Sequence, residues 1–171
     1  MAALYQKGKY MIRLIATGGT IEKRYNDTTF GMDIDGAVIP EILSTVRCRK
    51  KVRHEVLLTK ISSKFTDSDF KKIVKRCIEC RESRIVITHG TVTIDKTAKL
   101  IAKEGLNKTI VLVGAFVPYT VSNSDAAFNL GFAIASAQSL TEGVYVAMNG
   151  EVFDAGNVKK NKKNGVFEAL R

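Results

Sequence analysis

Short apolar runs separated by amphipathic stretches of roughly 10–15 residues constrain this chain more than any other feature. Residues 11–16 (MIRLIA), 84–88 (RIVIT), 109–113 (TIVLV) and 143–148 (GVYVAM) have strand length and are apolar almost throughout. Residues 52–61 read as a further strand. Such strands belong to a sheet covered on both faces, and helical crossovers make its strands parallel. The pattern predicts an α/β fold: three-layer αβα with a mostly parallel sheet, in one domain over 11–171. Residues 1–10 lack an apolar signal-peptide core and read as an N-terminal extension.

The helices announce themselves by caps and stripes. Thr66-x-x-Asp69 has the form of a capping box, with Phe65 and Phe70 at staple positions. Phe70, Ile73, Val74, Cys77 and Ile78 then recur at helical spacing and form one apolar stripe. A second helix starts at Thr93 as N-cap, with Ile94, Thr97, Ala98, Ile101 and Ala102 inward and Gly105 as C-cap. Ser124 caps a third, almost wholly apolar helix reaching Leu140, which is expected to be largely buried. A shorter helix opens at Ile39-Pro40, and the polar stretch 21–38 fits a loop or small hairpin. Asn149-Gly150 predicts a hairpin with 151–153 as its return strand.

Composition narrows the function classes. Lys and Arg number 27 against 17 Asp and Glu, a net charge of +10. The positives are scattered over 47–53, 71–84 and 159–163, with no arginine–aromatic interleaving. They read as solvated faces, so nucleic acid is not the expected partner. No run is long enough for a membrane helix. The three cysteines, Cys48, Cys77 and Cys80, are odd in number and fit a reducing, cytoplasmic setting. The Cys77–Cys80 pair sits late in a helix rather than at its start, so it reads as structural. With His54 and His89 the only histidines, no metal site is expected.

Three predicted strands end in small or hydroxyl residues: TGGT at 17–20, THGT at 88–91 and Gly114-Ala115. In open α/β sheets ligands bind beyond the carboxyl ends of the strands, so neighbouring strands would bring these loops to one crevice. Singly, each has a plain reading: a tight turn, a cap, a packed histidine. Neither Gly-rich string has the dinucleotide or Walker spacing.

Together the strings are specific. Ile15-Ala16-Thr17-Gly18-Gly19-Thr20-Ile21 resembles the first signature of the asparaginase/glutaminase family. Val86-Ile87-Thr88-His89-Gly90-Thr91-Val92-Thr93 resembles its second. Similarity continues through 111–115, 124–129, 143–149 and 158–160, and runs from about Met11 to the C-terminus. It covers the family's N-terminal domain and is greatest to short asparaginase-domain proteins. Typical members add a smaller C-terminal domain, which the resemblance does not reach.

The resemblance implies a threonine-nucleophile amidohydrolase without cofactor or metal, converting L-asparagine or a related amide to the acid plus ammonia. It assigns Thr20 as nucleophile, Tyr25 as the residue that orients it, and Thr91 with Lys160 as a second threonine and its basic partner. Gly19, Ser62, Ser63, Gly90, Val92 and Ala115 fall at substrate-contacting positions. Ser63 stands where the family has glutamine, and Val92 where it has the aspartate that holds the substrate ammonium. Valine cannot make that contact, so weakened activity is expected. The alternative is a non-catalytic or altered-substrate descendant binding a small amide or anionic ligand. A homo-oligomer, dimer or tetramer, is also expected, because the nearly all-apolar segment 126–137 can bury one side on the sheet and offer the other to a partner.

Overall fold

A computed structural model describes residues 11–170; the extension expected at 1–10 lies outside the described residues. Its centre is a six-stranded sheet built from β1 (Ile12–Ala16), β4 (Val52–Val56), β5 (Arg84–Thr88), β6 (Thr109–Val113), β7 (Gly143–Met148) and β8 (Glu151–Asp154). The order is β4-β1-β5-β6-β7-β8. The first five strands are parallel, and β8 returns antiparallel to β7. A small hairpin of β2 (Lys23–Asn26) and β3 (Gly31–Ile34) fills part of the 21–38 stretch, as the sequence allows. A second hairpin, β9 (Lys159–Asn161) with β10 (Val166–Glu168), has no counterpart in the sequence reading.

Every residue of β1 and β6 is buried, which requires cover on both faces. The helices α1 (Val38–Thr45), α2 (Asp67–Glu79), α3 (Ile94–Ala102) and α4 (Ala126–Ser139) supply it. α4 packs on β5, β6 and β7, α3 lies on β7 and β6, and α2 meets α3. This is the three-layer arrangement. Its core is rich in isoleucine, from Ile12 and Ile15 through Ile85, Ile87 and Ile110, β-branched residues that pack well on a pleated surface.

The α2 capping box is complete: Thr66 accepts from the Asp69 N–H, and Asp69 receives the Thr66 N–H at 2.9 Å. The Lys60 ammonium, 2.8 Å away, holds the Asp69 carboxyl down at about 2. Five sequence expectations need correction. β4 stops at Val56, because the Leu57 and Leu58 amides both turn to the Ala16 carbonyl and the chain leaves the sheet there. Ile78 is exposed at the last turn of α2, while Cys77 one position back is buried. Ala102 is exposed as well, for α3 ends on it, with Lys103 rather than Gly105 as its C-cap. Thr93 precedes α3 but makes no side-chain cap; its hydroxyl donates instead to the Ser62 carbonyl at 3.2 Å.

The fifth correction concerns α4. Its N-cap position is Asp125, and Ser124 accepts from the Ala126 N–H at 3.1 Å from outside the helix. Asp125 is engaged elsewhere: its carboxylate receives the amides of Phe116 and Val117. Nor is α4 buried all round. Phe128 is 62% exposed and stacks on Phe132, leaving an apolar outer stripe.

Candidate active site at the ends of three neighbouring strands

The strands that end in TGGT, THGT and Gly114-Ala115 are β1, β5 and β6, and they are adjacent. Their register is level: Ala16 pairs with Thr88, and Thr88 with Val113. The loops therefore leave the sheet together. Cross-bonds keep them in step. The Thr17 amide and hydroxyl both donate to the Thr88 carbonyl, the hydroxyl at 2.6 Å, and the His89 amide donates to Val113.

Two positions in the first loop demand glycine. Gly18 and Gly19 have φ of 90° and 92°, which L side chains rarely adopt. A Cβ on Gly19 would also lie 2.5 Å from the Gly90 amide nitrogen. The two threonine-bearing loops touch backbone to backbone here. Thr20, half-buried, begins the 3₁₀ turn Thr20–Glu22. Tyr25 follows on β2, 58% exposed on the outer hairpin.

The second loop holds its threonine more firmly. Thr91 is buried, and the Lys160 ammonium donates to its hydroxyl at 2.7 Å. Lys160 reaches it from β9, so the unforeseen hairpin is what delivers the lysine. Among four nearby lysines in the sequence, this is the one bonded to Thr91. Its charge lies over the Phe116 ring, 4.8 Å from the centroid. Among the described residues no carboxylate lies within ion-pairing distance of it. Burial, and then repulsion from Lys162, lower its pKa below the usual lysine value.

His89 is wholly buried between the Gly90 carbonyl and the Thr97 hydroxyl, each 2.8 Å away. Burial depresses it to about 4, so it is neutral at pH 7 and serves as a packed hydrogen-bonding residue. Ser62 is buried and donates to the Gly90 carbonyl at 2.9 Å. Ser63 beside it is exposed, and Val92 is 60% exposed. Ala115 is buried at the end of β6. Asn129 of α4 braces this third loop by donating to the Gly114 carbonyl at 3.1 Å. Among the described residues no cluster of His, Cys, Asp or Glu could hold a metal ion.

The sequence reading missed three residues with a stake in this crevice. Phe116 gives Lys160 its aromatic face, Asp125 shapes the loop after β6, and Glu22 is a fully buried acid beside the first loop. Glu22 could have been noticed, since an acid directly after Thr20-Ile21 in a tight post-strand turn has little room to reach water. Phe116 and Asp125 carry no such signal.

Known proteins are similar to this chain in sequence and fold. The family described as "Asparaginase, N-terminal" matches residues 11–169. The glutaminase-asparaginase of Pseudomonas fluorescens biotype A is 30% identical across 91% of this chain and 47% of its own. L-asparaginase 2 of Escherichia coli strain K12 is 31% identical, again over 91% of this chain and 47% of its own. The thermostable L-asparaginase from Thermococcus kodakarensis superposes with a TM-score of 0.83 at 26% identity, covering 94% of this chain and 51% of that one. The chain spans about half the length of these curated relatives. With the family's match covering nearly the whole chain and its two signature strings on adjacent strand ends, this chain belongs to the asparaginase family, in the region of its N-terminal domain.

Proposed function

We propose that this protein is an asparaginase-like amidohydrolase that converts the side-chain amide of L-asparagine, or a related amide, to the acid and ammonia. The observation that carries the reading is the 2.7 Å bond between Lys160 and Thr91. A lysine with a lowered pKa, hydrogen-bonded to a threonine, is the kind of pair that can pass a proton between them. Thr20 is the nucleophile, attacking the amide carbon, and Tyr25 orients it. Backbone N–H groups about Gly19 and Gly90 stabilise the developing oxyanion. Ser62, Ser63 and Ala115 line the substrate's other contacts. No metal or organic cofactor takes part.

Val92 supports weakened activity, because an apolar side chain replaces the carboxylate that would hold a substrate ammonium. Loss of such a charge-assisted contact costs roughly 1.5–3 kcal/mol in binding. A second reading, a non-catalytic or altered-substrate binder of small amides or anions, is favoured by the same exposed Val92 and by a Ser62 hydroxyl already engaged with Gly90. Ammonia release across a panel of amides, beside calorimetric binding, separates the two. Binding of one amide with hydrolysis of none selects the second.

The chain acts as one domain over 11–171, in the cytoplasm, as a homo-oligomer of dimer or tetramer size. The unpaired Cys48, Cys77 and Cys80 support a reducing compartment, and burial pushes the Cys77 thiol up to about 12. The exposed Phe128–Phe132 stripe supports self-association. A monomer by light scattering at high concentration overturns the latter. Among the described residues no helix is long and apolar enough to cross a membrane.

A further inference from the structure

Glu22 lies two residues past Thr20, and its side chain is wholly removed from solvent. A buried carboxyl must gather donors or give up its charge. Glu22 gathers two on one oxygen: Oε1 accepts the Gly18 N–H at 3.2 Å and the Thr88 O–H at 2.5 Å. Oε2 is buried without a hydrogen-bond partner, and among the described residues no lysine or arginine pairs with the group. The placement of the two donors is what matters. Gly18 belongs to the loop that carries Thr20, and Thr88 is the last residue of β5, three before Thr91. A single carboxyl oxygen therefore bridges the two threonine loops. An apolar side chain would fill this volume without a half-satisfied carboxyl, so packing alone does not explain an acid here.

We propose that Glu22 is a positioning residue for both threonines: its carboxyl binds the Thr20 loop to the end of β5 and sets their relative placement. Protonation modulates the clamp. Burial raises the Glu22 pKa to about 7, and the carboxylate of Asp35 adds to this while the two hydrogen bonds oppose it. His89, next along the chain after β5, is held neutral and adds no charge. As Glu22 ionises, both donors are drawn to a charged oxygen, and such bonds are shorter and stronger than neutral ones. The two loops then tighten together as pH rises through neutrality.

The role of Glu22 in turnover rests on the amidohydrolase reading; the clamp itself does not. The test is amide-resolved NMR of the full chain between about pH 5 and 9, on wild type, Glu22→Gln and Glu22→Ala. In wild type the amides of Gly18 and of residues 88–91 should titrate with one shared midpoint near neutrality. In Glu22→Gln both sets should be flat with pH, while the Gly18 amide stays hydrogen-bonded. Glu22→Ala should displace both sets. If the wild-type amides show no shared midpoint absent from the Gln variant, or if Glu22→Ala moves only the first loop, the proposal is wrong. Should the Ala variant fail to fold, the Gln comparison decides alone. On asparagine, kcat of Glu22→Ala should fall roughly tenfold or more with little change in KM, and Glu22→Gln should recover part of it near or below neutral pH. A wild type that releases no ammonia defeats the hydrolase reading and leaves the NMR result to judge the clamp.

Discussion

The two threonine loops are built on opposite electrostatic plans. Among the described residues, Thr20 stands beside a buried acid with no cation to pair with, and Thr91 is bonded to a lysine with no carboxylate near it. Both titratable groups are shifted toward neutrality, Glu22 upward and Lys160 downward, with burial the first cause in each. Pairing them would have stabilised both charges and moved both pKa values away from neutral pH. Kept apart, neither charge is stabilised by an ion partner, so Glu22 is pushed up to about 7 and Lys160 falls below the usual lysine value. The difference teaches that proton-handling capacity here comes from withholding ion partners. The contrast is sharp elsewhere in the same molecule, where Arg13 is satisfied by Glu55 and Glu82 at 3.1 and 2.9 Å.

The comparison can be broken at the first loop most decisively. If Thr20 is the nucleophile, Thr20→Ala should lower kcat/KM by about three orders of magnitude or more, with an unchanged thermal melt. A variant that keeps wild-type turnover removes Thr20 from the chemistry. Next comes the second loop. Lys160→Met retains length while deleting the basic nitrogen, and should cost about 10²–10⁴ in kcat; unaltered kcat would leave the Thr91–Lys160 bond a purely structural one.

Glu22 makes a prediction about stability. Its folded pKa of about 7 lies above the reference value of 4.5, so the folded state binds this proton more tightly. Its contribution is therefore fully present below pH 4.5 and is lost as pH rises through 7. The loss amounts to roughly 3–4 kcal/mol at most. Melting curves of wild type and Glu22→Gln should diverge across that window, with wild type relatively less stable at the alkaline end. Parallel curves would show that the carboxyl does not titrate there.

Val92→Asp puts a carboxylate in the second loop, one residue past the Thr91 that Lys160 binds. It should raise kcat/KM for asparagine about 10–100-fold, mostly through KM if it holds the substrate ammonium. A folded variant with no gain on any amide would move suspicion to Ser63. The smallest effect is expected at Phe116. Phe116→Leu removes the ring face from Lys160, worth about 0.5–1 kcal/mol, and should shift the limb of the pH profile set by Lys160 slightly toward lower pH. An unmoved profile means the ring merely fills space.

Much of this was legible in the residues. The periods of the apolar runs placed β1, β5, β6 and β7 nearly to the residue, because parallel strands covered on both faces are apolar along most of their length. The capping box of α2 is chemistry among neighbours in sequence and formed as read. The glycines of TGGT are equally local, since a positive φ is a property of one residue. The threonines of both loops could be singled out because turns and signatures are contiguous strings.

What tertiary structure decided is whatever depends on two distant segments meeting. Thr93 looks like a cap in sequence, yet its hydroxyl is claimed by Ser62, 31 residues earlier. An apolar helix such as α4 does not say which side the sheet will cover, so the exposure of Phe128 follows only from its seat on β5, β6 and β7. Lys160 joins Thr91 across 69 residues, on a hairpin whose three-residue strands are too short to carry a periodic signal. Glu22 meets Thr88 across 66. Local sequence specifies the elements and the turns; the charge state of the site is set by burial and by absent partners, and neither exists until the chain has folded.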